Sequence, residues 1–382
     1  MRATQFSWRE GRAWDRVSAD DLRADLVLYF GSRQALDDGR RYDELRAMFP
    51  RAHLVGCSTG GQISGGDLTD DAVAATALSF DATRLRAACA PAQGSDCSRT
   101  CGRTIGRALA DDGLAGVFVL SDGLTVNGSE LVAGIMQEVG AAIPVSGGLA
   151  GDGAQFERTL VGADCAPGPG TVAAVGFYGR AVRIGHGSAG GWDEFGPRRS
   201  ITRSQGNVLH ELDGRPALDL YMRYLGEEAA KGLPGTALLF PLKVFDPDRP
   251  EHDIVRTVLS VDHDNGTMTF AGDLPQGWTA QLMRGSFDRL AQGAGDAARQ
   301  AADGLNGSRG DKVAVLVSCI GRRLLMGQRT LDEIEAVGTE FGPDVAQIGF
   351  YSYGEISPHW QTGLSELHNQ TMTVTTLAEA AG

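Results

Sequence analysis

The chain has 382 residues, 42% apolar and 22% charged, which is a globular composition too long for one ordinary core. Its net charge of −13, with no lysine- or arginine-rich run, argues against a nucleic-acid partner, which demands a basic footprint. No apolar run approaches membrane-spanning length, and the N-terminus has no signal-type apolar core, so a cytoplasmic protein without membrane insertion is expected.

In chain order, Leu26 to Phe30 is a continuous apolar run, as a strand covered on both faces requires. Tyr42, Leu45 and Phe49 share a helical face that Pro50 ends, and Val73 to Phe80 is the next strand. A polar linker over 91–98 precedes a second unit: strand Val117 to Leu120, a helical face of Leu131, Ile135, Met136 and Val139, and strand Thr171 to Tyr178. Glycines crowd residues 185–206, where a domain boundary is placed, giving domains 1–200 and 201–382. Beyond it come a helix from Pro216 through Leu225, a strand Thr236 to Phe240, and strands Ile254 to Val261 and Thr267 to Phe270. The last two flank the hairpin turn Asn265-Gly266. A helix over Asp288 to Ala302, a strand Val313 to Val317, a face of Leu331, Ile334 and Val337, and a strand Thr371 to Leu377 complete the chain. The fold class is α/β: mixed sheets in two related halves, with a pseudo-repeat of β-α-β units ending in glycine corners.

The repeat is carried by one stretch written twice. Val55-Gly56-Cys57-Ser58-Thr59-Gly60-Gly61-Gln62-Ile63-Ser64 returns as Ile348-Gly349-Phe350-Tyr351-Ser352-Tyr353-Gly354-Glu355-Ile356-Ser357. A weaker echo runs from Pro144 to Gly153. Gly56-Cys57-Ser58-Thr59-Gly60 has the G-x-S-x-G spacing of a hydrolase elbow, which would make Cys57 or Ser58 a nucleophile. The second copy has Tyr351 where Ser58 stands, and a strand rather than a helix follows, so a tight corner explains both copies more simply. Gln62 and Glu355 sit beside equivalent corners. Each either caps backbone or faces a shared cavity.

The six cysteines form no CxxC pair, and no two histidines have metal-ligand spacing on a helix, which speaks against a zinc site. His252 and His263, in polar surroundings, read as solvated. His186 and His368 sit among motifs able to close a pocket, and one neutral imidazole suffices to hold haem.

Several strings together resemble the FIST sensory proteins. They are Gly56 to Gly61, Glu211-Leu212-Asp213-Gly214, Tyr224-Leu225-Gly226, Ser318-Cys319-Ile320-Gly321-Arg322, Gly349 to Ile356 and Leu367-His368-Asn369-Gln370-Thr371. The resemblance spans nearly the whole chain. It implies a signal-transduction protein that binds a small ligand and acts on a separate histidine kinase or cyclic-di-GMP enzyme (diguanylate cyclase or phosphodiesterase). Members of the NosP group bind haem and sense nitric oxide, so haem is the first expected ligand and an amino acid or similar metabolite the second. The expected ligand pocket is lined by Cys57, Ser58, Thr59, Gln62, Tyr351, Tyr353, Glu355 and Asn369. His368 or His186 is the expected haem ligand.

Overall fold

The computed structural model describes residues 1–15, 23–92, 94–233, 235–249 and 252–380. Three mixed sheets of five, six and six strands surround a common core, and a fourth sheet forms a lobe. Leu28 and Phe30 of the first sheet, Phe118 and Leu120 of the second, and Val315, Val317 and Phe350 of the third meet in that core. The Phe30 and Phe350 rings lie 4.6 Å apart. Because each sheet is apolar on both faces, helices cover the outsides. Arg40–Met48 covers the first, Ser98–Leu109 and Gly128–Val139 the second, and Phe287–Ala302 and Leu331–Phe341 the third.

Each of the three body sheets holds one parallel pair among the described residues. Leu26–Gly31 lies beside His53–Ser58, Leu114–Ser121 beside Val145–Leu149, and Ser308–Cys319 beside Val345–Ser352. Past the second strand of each pair the chain crosses to another sheet. Gln62–Ser64 pairs with Val345–Ser352, Gly354–Pro358 with Val145–Leu149, and Val161–Ala163 with His53–Ser58. The three sheets are thereby stitched in a closed cycle. Strands from residues 1–200 and 201–382 hydrogen-bond together in both six-stranded sheets.

The lobe runs from Trp192–Gln205 to Thr279–Gly285 and has its own core, with Leu209, Tyr221, Met268 and Phe270 buried at its centre. Its entry and exit are paired, Trp192 opposite Gly285, so a two-stranded neck joins it to the body.

Two predicted strands differ. Thr236 to Phe240 is a 3-10 turn, Gly235–Leu239, because the Thr236 hydroxyl donates to Ala229 O at 2.6 Å and Phe240 N–H to Ala237 O at 3.1 Å. A five-residue apolar run does not by itself distinguish these states. The strand over 254–261 breaks at Thr257 into Asp253–Arg256 and Val258–Asp262, which pair with different neighbours. The linker over 91–98 contains the turn Ser95–Cys97, and its residue 93 lies outside the described residues.

Candidate functional site

The glycine corners meet at the centre of the body. Gly60 N–H donates to Tyr351 O at 2.7 Å, Tyr353 N–H to Leu149 O at 3.1 Å, and Gly151 N–H to Ser58 O at 3.0 Å. These three bonds close a ring through the three crossing points. The first glycine of each corner faces its parallel partner strand at the same register: Gly56 opposite Tyr29, Gly147 opposite Val119, Gly349 opposite Leu316. A Cβ there would lie 2.4, 1.8 and 2.1 Å, respectively, from the facing carbonyl oxygen. No side chain fits at that distance, so the strands approach only as glycine allows.

The polar residues of the two matching corners play one role. Thr59 Oγ1 lies 3.3 Å from Gly31 O, as Ser352 Oγ lies 3.2 Å from Ser318 O. The Gln62 amide, oriented to satisfy both ends, accepts from Thr59 Oγ1 (2.7 Å) and Ser32 N–H (3.0 Å) and donates to Thr69 O (2.8 Å). The Glu355 carboxyl likewise sits on Ser352 Oγ at 2.9 Å, and its second oxygen accepts from Thr371 N–H at 3.1 Å and Thr371 Oγ1 at 2.9 Å. Burial raises the Glu355 pKa to about 8, against the pull of those hydrogen bonds.

The pocket expected at the corners is therefore filled. Gln62 and Glu355 are sealed, and their polar atoms are spent on neighbouring chain. Cys57 packs into the common core and burial holds its thiol well above its ordinary pKa, the opposite of an activated nucleophile. Ser58 Oγ accepts from Leu160 N–H at 2.8 Å. Tyr351 donates at 2.6 Å to Glu333, which is locked in a solvent-free ion pair with Arg322. Tyr353 donates to Asp152 and stacks on Phe156, with ring centroids 4.5 Å apart. Asn369 is buried, its Nδ2 bonded to His368 O at 2.9 Å and its Oδ1 without a partner. Both His186 ring nitrogens are sealed and have no hydrogen-bond partner among the described residues, and burial lowers its pKa to about 4.

Open space lies between lobe and body. A cleft of about 560 Å³ is walled on the lobe side by Lys243, the strand from Asp253 to Val255, and Met283. On the body side are Ser188 to Gly191, Arg299, Gln300, His359, His368 and Thr371. Trp360, 60% exposed, stands at its edge. Of the site residues expected from sequence, only His368 lines this cleft.

The His368 ring is 4% exposed. Its Nε2 lies 3.0 Å from Ser357 O, an atom that can only accept, so Nε2 carries the proton and Nδ1 a lone pair. Burial lowers its pKa to about 4, which keeps the ring neutral. The His359 ring lies parallel to it, with centroids 6.3 Å apart, and is committed: Nε2 donates to Asp253 O at 3.2 Å, and Nδ1 accepts from Gln361 N–H and Thr362 N–H at 3.4 Å each.

His252, expected to be solvated, is 6% exposed and bonds Glu366 at 2.7 Å across the lobe–body boundary.

Two family models match, FIST N domain over residues 25–215 and FIST C domain over 217–358. The chain belongs to the FIST family. FIST domains are small-ligand sensing domains of signal-transduction proteins. The junction between the two FIST segments falls inside the lobe, at the turn from Arg215 to Ala217. A curated relative, the uncharacterized protein MJ1623 of Methanocaldococcus jannaschii, is 27% identical over 222 residues. The match takes in 54% of this FIST chain and 41% of that protein, so the chain spans less than half its length. Among solved structures, a cyanuric acid hydrolase from A. caulinodans aligns over 100% of this chain and 99% of its own at 9% identity, with a TM-score of 0.37. PurLQS from Thermotoga maritima aligns over 84% and 74% at 10% identity, with a TM-score of 0.21.

Proposed function

We propose that the cleft between lobe and body is the sensing site of this FIST protein. Its guest is a small polar metabolite that offers an N–H or O–H donor to His368 Nδ1. The observation that supports this is a nearly buried, neutral imidazole on the cleft wall, with one nitrogen committed to backbone and no hydrogen bond to the other among the described residues. A guest touching both walls binds the closed arrangement better than the open one, and that difference in affinity is what drives a switch. The moving lobe changes the surface offered to a separate histidine kinase or cyclic-di-GMP enzyme. No turnover is part of this reading, since Cys57 and Ser58 are sealed in the body.

Haem fits these residues poorly. A backbone-anchored imidazole is the usual form of a metal-bound histidine, but here the nitrogen left over is Nδ1, crowded by its own Cβ against a porphyrin face.

The test is native mass spectrometry and absorbance of the purified chain, together with Trp360→Ala and His368→Asn variants. A colourless protein that releases a small polar compound, retained less by both variants, is the expected result. A Soret band that responds to nitric oxide would replace this reading with the haem one.

A further inference from the structure

The contacts that hold the lobe against the body include a titratable centre at His252. His252 immediately precedes the lobe strand Asp253–Arg256, and its ring is enclosed edge-on by Trp278 and His359, with centroids 5.4 and 5.5 Å away. Its Nε2 meets Glu366 Oε2 of the body at 2.7 Å. Its Nδ1 points to Asp246 Oδ2 of the lobe at 3.6 Å and has no hydrogen-bond partner among the described residues. One buried imidazole thus stands between two carboxylates on opposite sides of the boundary. A protonated ring offers an N–H to both. A neutral ring must turn a lone pair toward one of them, whichever tautomer it adopts.

We infer that the cleft is regulated by protons, with His252 as the latch that holds lobe to body while its imidazole is charged. This rests on the cleft being the sensing site. The latch sits where it can act, because His252 precedes Asp253, whose chain forms the lobe wall, and Glu366 lies two residues before His368 on the body wall. The surrounding groups favour the charged ring. The Glu366 hydrogen bond raises the His252 pKa above 6.5, outweighing burial and the Arg249 charge, while Asp246 adds to the rise. Glu366 is held below its ordinary pKa, chiefly through His252, despite its burial. Arg249 is tied to Asp246 at 2.9 Å, and Lys243 to Asp253. His359 and His368 are both lowered by burial and stay neutral beside it. Arg256 faces away, donating to Leu367 O at 3.0 Å and Asp273 O at 2.9 Å.

A histidine whose folded pKa is raised contributes fully below 6.5 and loses its contribution as pH climbs through the folded value. The lobe therefore loosens on the alkaline side. The test is amide hydrogen exchange of strands Asp253–Arg256 and Ser365–His368 in the full chain without added guest, from pH 6 to 9, corrected for intrinsic rates. Protection in the native chain is expected to fall about tenfold per unit of pKa elevation as His252 loses its proton. His252→Gln should hold a low protection level with no pH step. Glu366→Gln removes the largest cause of the raised pKa and should shrink or abolish the step. A flat native profile, or a step that persists unmoved in His252→Gln or in Glu366→Gln, overturns the latch. Because the readout needs no guest, such a failure leaves the cleft reading intact, whereas absence of any retained guest at every pH counts against the cleft itself.

Discussion

The hub of glycine corners and the lobe–body cleft are built from opposite materials. At the hub, backbone meets backbone: three N–H groups find three carbonyls, and glycines permit an approach that a side chain would prevent. At the cleft, side chains from two separately packed bodies face each other across open space, with a histidine acceptor unspent. The family-marking string Gly349 to Ile356 belongs to the hub. What makes a motif recognisable here is the geometry that holds three sheets together, while the surface that can take a guest is assembled from residues far apart in the chain, from Ser188 to Thr371.

The hardest blow to this contrast is a methyl group at the hub. Gly147→Ala puts a Cβ 1.8 Å from Val119 O at a φ of +136°. Strain and overpacking together should cost about 4 kcal/mol, enough to leave the chain unfolded or insoluble at 37 °C. Urea unfolding of any soluble fraction measures it. A near-native midpoint would mean that the corners are not the structural centre.

A smaller cost follows from Ser58→Ala. Leu160 N–H would lose its buried acceptor, which should destabilise the chain by about 2 kcal/mol in the same urea assay. Retained guest should not change, because Ser58 does not line the cleft. If guest is lost while stability holds, the assignment of structure to the hub and sensing to the cleft is reversed.

The sequence made the hub partly legible because its causes are local. Apolar runs, helical faces and the doubled glycine stretch each leave a short-range signature, and Gly56 and Gly349 were visible as equivalents. The third corner was fainter. Leu149 and Ala150 stand where Ser58-Thr59 and Tyr351-Ser352 stand, and a loop separates that corner from Val161–Ala163. What no spacing could say is whether the corners enclose a cavity or close on each other, since both need glycine. The cleft left no such trace: Ser188, Lys243, Asp253, Gln300 and His368 share no local pattern. His252 read as solvated because its neighbours in sequence are polar, and Glu366, the residue that buries and pairs it, lies more than a hundred positions downstream.

The finest probe compares the two equivalent corners with each other. Gln62 performs with a neutral amide what Glu355 performs with a carboxyl whose pKa burial lifts to about 8. An acid with a raised folded-state pKa keeps its proton in the folded chain while the unfolded chain has released it. Stability from this group therefore declines as pH rises from 4.5 toward about 8 and is level beyond. Glu355→Gln removes that decline and still offers an amide to Ser352 and Thr371. The variant's melting temperature should be close to the native chain's at pH 5 and draw ahead of it as pH approaches 8. Subtracting the two curves removes the His252 contribution, which runs in the same direction in both. Parallel curves would show that Glu355 is not held neutral by its burial. A variant that falls behind at alkaline pH would mean that the carboxylate, through Thr371 on the cleft wall, is itself what keeps that wall in place.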